Sequence, residues 1–433
     1  MSDWKNIFKK AVVTTQTEEA SISMPFARMS GVDNLVQKTR GDRVIWALVL
    51  LLTLASLLLV YSSTASLAYR MSKSNESYLF KQFAFIILGL IIIYFAHRIN
   101  YTVYSRIAKI LFLISIPLLI YTLFFGVQLN AGSRWIKLPV INMTFQTSDL
   151  AKLALFMYMS RMLSKKQMVI KDFKKGFLPI IIPVALICLL IAPANLSTAV
   201  LIGGTSIILM FIGRVSTKHI LATIAIALIP LVLLISIAVS TYDKEAGESK
   251  KLPAIFASGR IPTWISRVQT FIYSKKEDDS EKSYQINQAK IAIANGGILG
   301  QGPGQSQARN YLPHSYSDFI YAIIIEEYGL LGGAAILFIY LLFLFRCIRI
   351  YRKCPYAFGA FLALALSFTL VIQAIANMGV NVNLFPNTGV TLPLVSMGGI
   401  EFNGSNRAFI RLLILVFQNE LSEFERNYRH RYR

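Results

Sequence analysis

Apolar residues run through this chain in long blocks separated by short polar segments. Blocks long enough, or nearly so, for a helix to cross roughly 30 Å of hydrocarbon begin near Val44, Phe83, Ile107, Leu150, Phe177, Leu196, His219, Phe319 and Ala357. A tenth, Ala408 to Phe417, is short and carries Arg411. The pattern predicts an all-α, polytopic integral membrane protein of about ten transmembrane helices. Residues 240–317 contain no such block and predict one large extracytoplasmic loop. Inside it, "LPAIFASGRIPTWISRVQTFIY" and "YQINQAKIAIANGGILG" have the amphipathic spacing of helices that lie along a membrane surface. The predicted organisation is a basic tail over 1–43, a transmembrane domain over 44–420 and a basic tail over 421–433. The first apolar block is long enough to remain as a span, so no cleavable signal peptide is expected.

Composition agrees with the pattern: 55% of the 433 residues are hydrophobic and 15% charged, too apolar for an ordinary soluble domain. The net charge of +22 changes the picture only in its distribution. Lys and Arg cluster between alternate apolar blocks, at Lys38 to Arg43, Arg98 and Arg106, Arg161 to Lys175, Arg214 with Lys218, and Arg346 to Lys353. The positive-inside rule makes those loops and the amino terminus cytoplasmic. Orientation thus accounts for the charge, and no nucleic-acid partner is expected. Cys188, Cys347 and Cys354 have no metal or redox spacing and read as packing residues.

Charged side chains inside such blocks are expensive, and each is a functional hypothesis. Asp149 and Lys152, three apart, share a helix face and can pair; the plainer reading is an ion pair near a helix start, with Ser148 or Asp149 as cap. Glu326 and Glu327 are adjacent and point in different directions, at least one of them into packing or a polar network. Asp318 lies at the mouth of its block, either as a helix cap or as a working carboxylate.

Several blocks then carry a family likeness: "GSRWI", "FQTSDLAKLAL", "QAKIAIANGGILGQGPGQS", "YLPHSYSDFIYAIIIEEYGLLG" and "NMGVNVNLFPNTGVTLPLVSMGG". In order and placement, from Gly41 to about Gly399, they resemble the SEDS family of peptidoglycan polymerases, and its division branch, of Bacteroidota type, more than its elongation branch. The resemblance implies a glycosyltransferase that polymerises lipid II on the outer face of the cytoplasmic (inner) membrane, at the division septum. It implies Asp318 as the catalytic general base. It also implies substrate contacts from Arg134, Trp135, Gln146, Asp149, Lys152, Arg260, Arg267, Gln288 and Ser396. The implied partners are lipid II, a class B penicillin-binding protein that crosslinks the new glycan, other division proteins and membrane lipids.

The chemistry asks for a carboxylate to take a hydroxyl proton and for cations on the departing diphosphate. Arginine and lysine side chains supply those cations, or a divalent ion, Mg or Mn, does; the residues pick out no metal site. The sequence departs from the family pattern at Asn195 and Ser197, where an Asp and a Gly are usual, at Asp149 in place of Glu, and at His314 in place of Glu. After Gly399 the similarity is expected to stop. A lipid II flippase or transporter and a non-catalytic division scaffold remain alternatives.

Overall fold

The computed structural model describes residues 42–397, apart from 71, 73, 97–100, 130–131, 138–143, 243–259, 274–280, 313–314 and 355. Both terminal tails and the expected tenth span, Ala408 to Phe417, lie outside the described residues. Every earlier apolar block is helical. In chain order the longer helices are α1 (Arg43–Ser63), α2 (Asn75–Ala96), α3 (Tyr101–Phe125), α4 (Thr147–Lys165), α5 (Leu178–Ile191), α6 (Leu196–Ile212) and α7 (Thr217–Ser240). They continue with α8 (Ile261–Tyr273), α9 (Glu281–Gly296), α10 (Ile320–Lys353) and α11 (Ala357–Asn381). Among the described residues, α1, α3, α5 with the turn before it, α7, α10 and α11 are long and apolar enough to cross a membrane, and α6 is apolar but shorter. The chain is a multi-pass membrane protein.

Local chemistry sets the helix ends. Asp42 caps α1, accepting from Val44 N–H at 2.9 Å and Ile45 N–H at 3.4 Å, while Oδ2 takes Arg346 Nε and Nη2 at 2.7 Å each. One carboxylate thus satisfies orphan amides and neutralises a cation on another helix. Arg161 Nη1 reaches the carbonyl of Ser105 at 2.5 Å. These contacts join segments that the basic pattern assigns to one end of the bundle. At the opposite end, Ser315 Oγ donates to Ser63 O at 3.3 Å and Met397 N–H to Tyr316 O at 3.0 Å.

α11 is buried along most of its length, whereas α7 presents Leu221, Ile226, Ile229 and Val232 on the outside. In lipid that exposure needs no cover, because acyl chains solvate these side chains as well as a core does. A small antiparallel sheet joins α3 to α4: β1 (Val127–Leu129), β2 (Gly132–Lys137) and β3 (Thr144–Gln146), in spatial order β1-β2-β3.

The described residues between α7 and α10 include α9, which packs on α10. α9 buries Ala289 and Ala292 against Phe319, Ala322 and Ile323. α10 itself breaks at Gly329, with φ 70° and ψ −175°. There the glycine-rich segment after α9 replaces the missing helical bonds: Gln301 and Gly302 N–H donate to Glu326 O and Glu327 O at 2.9 Å each, and Leu330 N–H donates to Gly297 O at 2.9 Å. A Cβ on Gly329 would sit 2.1 Å from Ile298 O, so only glycine allows both the turn and the approach.

Candidate active site

Asp318 precedes α10, and its carboxylate does not cap it. The helix starts at Ile320 with Phe319 at the cap position and no side-chain cap from that residue. The first-turn N–H of Ala322 instead donates to Asn381 Oδ1, at the end of α11, at 3.1 Å. The cap reading of Asp318 is therefore corrected: a neighbouring helix supplies that acceptor. The Asp318 backbone is gripped from the same side, its carbonyl accepting from Asn377 Nδ2 at 2.8 Å and Asn381 Nδ2 at 3.0 Å. Asn377 Nδ2 also donates to Val390 O at 2.7 Å, which ties the loop after α11 to the same point.

Gly389 in that loop has φ +62°, and a Cβ there would lie 3.5 Å from Asp318 Oδ2 and 4.0 Å from Arg267 Nη2. Three elements therefore converge on one spot: the turn before α10, the loop after α11, and α8. The amphipathic α8 is docked by Gln269, whose Nε2 donates to Ala238 O at 3.0 Å and Thr241 Oγ1 at 3.2 Å at the end of α7. Burial lowers the Arg267 pKa, nearby Arg260 lowers it further, and the Asp318 charge pushes it back up. The Tyr316 hydroxyl is pushed up to about 12 by burial, with the charge of Asp318 and the nearby Tyr78 adding. It stays a neutral phenol beside the carboxylate.

A second polar cluster lies alongside. Lys152 Nζ meets Asp149 Oδ1 at 3.3 Å, with both side chains largely buried. α4 begins at Thr147 with Gln146 at its cap position, so neither Ser148 nor Asp149 is the cap. Gln146 Nε2 donates to Ser148 Oγ at 2.8 Å. In the sheet Gln146 stands opposite Trp135, and both are buried. Gln146, Asp149, Lys152, Asn195, Gln373 and Gly389 line a cavity of about 40 Å³, so this cluster adjoins the Asp318 spot through Gly389. Asn195, at the position where the family has Asp, caps α6: its Oδ1 accepts from Thr198 N–H at 3.4 Å and its Nδ2 reaches Thr198 Oγ1 at 2.5 Å.

The other expected contacts are spread around these two clusters. Arg134 lies in β2 next to Trp135, and its side chain is outside the described residues, as is His314. Arg260 Nη1 donates to Ala194 O, which holds the entry to α8 against the α5–α6 turn. Gln288 is half-buried on α9. Ser396 Oγ donates to Ser317 O and accepts from Leu392 N–H, at 2.7 and 2.8 Å, which makes it a brace under Asp318. Asn377, Asn381, Gln373 and Gly389 were not expected. The first three recur every four residues in an otherwise apolar helix, and that spacing is a readable signal.

Fold and site together define a multi-pass membrane protein with a carboxylate and cations gathered at one mouth of its helical bundle. The family model described as "Cell cycle protein" (FTSW_RODA_SPOVE) matches residues 42–416, and the chain belongs to that family. The match runs past Gly399, where the motifs predicted that similarity would end. The probable peptidoglycan glycosyltransferase FtsW of Geobacter metallireducens is 31% identical over 370 residues, covering 84% of this chain and 92% of the relative. Stage V sporulation protein E of Bacillus subtilis is 31% identical over 369 residues, covering 84% and 93%. Among solved structures, a chain described under "Structural coordination of polymerization and crosslinking by a peptidoglycan synthase complex" superposes with a TM-score of 0.65 at 21% identity, covering 89% of this chain and 99% of that one. The Thermus thermophilus rod shape determining protein RodA gives 0.60 at 18%, covering 90% and 99%.

Proposed function

We propose that this chain is a peptidoglycan glycosyltransferase that polymerises lipid II at the outer face of the cytoplasmic membrane, in the septal wall of dividing cells. The observation that carries the mechanism is the division of labour around Asp318. Asn377, Asn381 and Ser396 hold its backbone and its neighbours, leaving the carboxylate for chemistry.

In the reaction the 4-hydroxyl of one disaccharide attacks the anomeric carbon of another, and Asp318 takes the hydroxyl proton as the new glycosidic bond forms. The bond from that carbon to undecaprenyl diphosphate breaks with inversion, and the leaving group carries away the electron pair. Positive charge develops on the sugar as in glycoside hydrolysis. Arg267, whose Nη2 lies beside the Asp318 carboxylate by the Gly389 geometry, is assigned to the diphosphate. Lys152 shares its charge with Asp149, and Arg260 is spent partly on Ala194. Among the described residues no group of three or more His, Cys, Asp or Glu side chains could hold a metal ion. The likeness to a peptidoglycan synthase complex supports a class B penicillin-binding protein as partner.

The test is reconstitution with lipid II, with and without such a transpeptidase. Glycan chains are the expected product; leaflet exchange without glycan would make the chain a transporter, and neither would leave a scaffold. In the same assay Arg267→Ala should slow turnover about 10- to 100-fold, roughly 1.5 to 3 kcal/mol for a lost charge-assisted contact. Arg267→Lys should recover only part, because Lys lacks the planar two-pronged donor. Unchanged kinetics in Arg267→Ala would remove it from the site.

A further inference from the structure

Glu326 and Glu327 lie in α10 about two turns beyond Asp318, 0% and 1% exposed, and the mechanism above uses neither. They act on one neighbourhood by different partners. Glu326 accepts from the N–H of Gln307 at 3.2 Å, from that of Ala308 at 3.3 Å and from the Ser306 hydroxyl. Those residues open the short helix Ala308–Tyr311, which precedes Asp318 in the chain. Glu327 accepts from the Ser62 hydroxyl at the end of α1. Arg309, on the short helix, lies on the same Ser62, with Nη1 3.2 Å from its carbonyl and 3.4 Å from its hydroxyl. Ser66 Oγ donates to Arg309 O at 2.7 Å from the other side. Glu327 Oε2 is buried with no hydrogen-bond partner among the described residues.

We propose that Glu326 and Glu327 are positioning residues: together they latch the helix Ala308–Tyr311 to α10 and α1, and so fix where the chain delivers the Asp318 carboxylate relative to Arg267. The proposal rests on Asp318 being the general base. Between the latch and Asp318 there are six residues, Leu312 to Ser317. Ser315 on Ser63 and Ser396 on Ser317 hold them from the outside. Loss of the latch removes one of several anchors on the residues before Asp318, and a misplacement of the carboxylate by about an ångström can slow chemistry about 100-fold. Lipid II binding is left alone, because the mechanism above assigns neither Glu to the substrate and both bond to protein groups.

The test is kcat and KM for lipid II on the reconstituted full chain, per folded molecule, for Glu326→Gln, Ser306→Ala and Ser62→Ala, with Asp318→Asn alongside. Glu326→Gln keeps the shape but turns an amide N–H₂ toward donors that need an acceptor. Its kcat should fall about 10- to 100-fold, and those of the serine variants about 3- to 10-fold, with KM within about 3-fold of wild type. Wild-type kcat in these variants beside an inactive Asp318→Asn overturns the latch alone, and so does a raised KM at unchanged kcat. If Glu326→Gln fails to fold, the two serine variants, each missing one hydroxyl, decide by the same criteria. An active Asp318→Asn would overturn the base assignment and the latch with it.

Discussion

Asp318→Asn is expected to lower glycan polymerisation about 100-fold or more while leaving lipid II binding almost unchanged. Asn keeps the size and much of the hydrogen bonding of Asp but cannot accept a proton at working pH. The structure sharpens this expectation, because the one role in which Asn replaces Asp well, capping a helix, is already filled for α10 by Asn381. Asp318→Glu should also be impaired, since the added methylene moves the carboxylate by about an ångström from its attack geometry. The measurement is polymer length and rate from lipid II, with insertion and folding checked separately. A folded Asp318→Asn protein making long chains at the wild-type rate would refute the assignment.

The second large effect is on stability. Lys152→Ala removes one partner of a largely buried ion pair, and Asp149 stays among α4 neighbours that are themselves buried. Breaking such a pair typically costs about 3–5 kcal/mol. Asp149→Ala with Lys152→Ala should recover much of that loss, because the cycle then removes both charges. Thermal unfolding in detergent or nanodiscs reads the stabilities, and lipid II kinetics read the activity. A Lys152→Ala protein as stable as wild type but slow with lipid II would move Lys152 from the ion pair to the substrate.

The bundle was legible in the sequence because a span needs a long apolar run and the pattern shows each run directly. α2 and α3 begin earlier than their apolar runs, at Asn75 and Tyr101, since a helix continues into polar residues beyond the hydrocarbon. The charged members of the site were legible for the converse reason: Asp149, Lys152 and Asp318 stand out against apolar neighbours. What supports them was not. Asn377 and Asn381 act on Asp318 and Ala322 across about sixty residues, and Gly389 contributes a backbone angle and an absent side chain, neither of which leaves a local pattern. Ser396 was singled out as a substrate contact, and the structure uses its hydroxyl on two backbone groups.

The break at Gly329 sets a depth. Unbroken, the 34 residues of α10 would measure about 51 Å at 1.5 Å per residue, far more than the roughly 30 Å of hydrocarbon they have to cross. The part after the break, Leu330–Lys353, is about 36 Å long and ends in Arg352 and Lys353, which suit an interface. That part alone fills the membrane. The turn and a half of helix between Ile320 and the two glutamates then rises above the acyl chains and carries Asp318 on the order of 10 Å past their boundary. A lipid carrier's phosphates float at that level, so the proposed base would meet a sugar already at the surface, and the tail would not have to leave the oil.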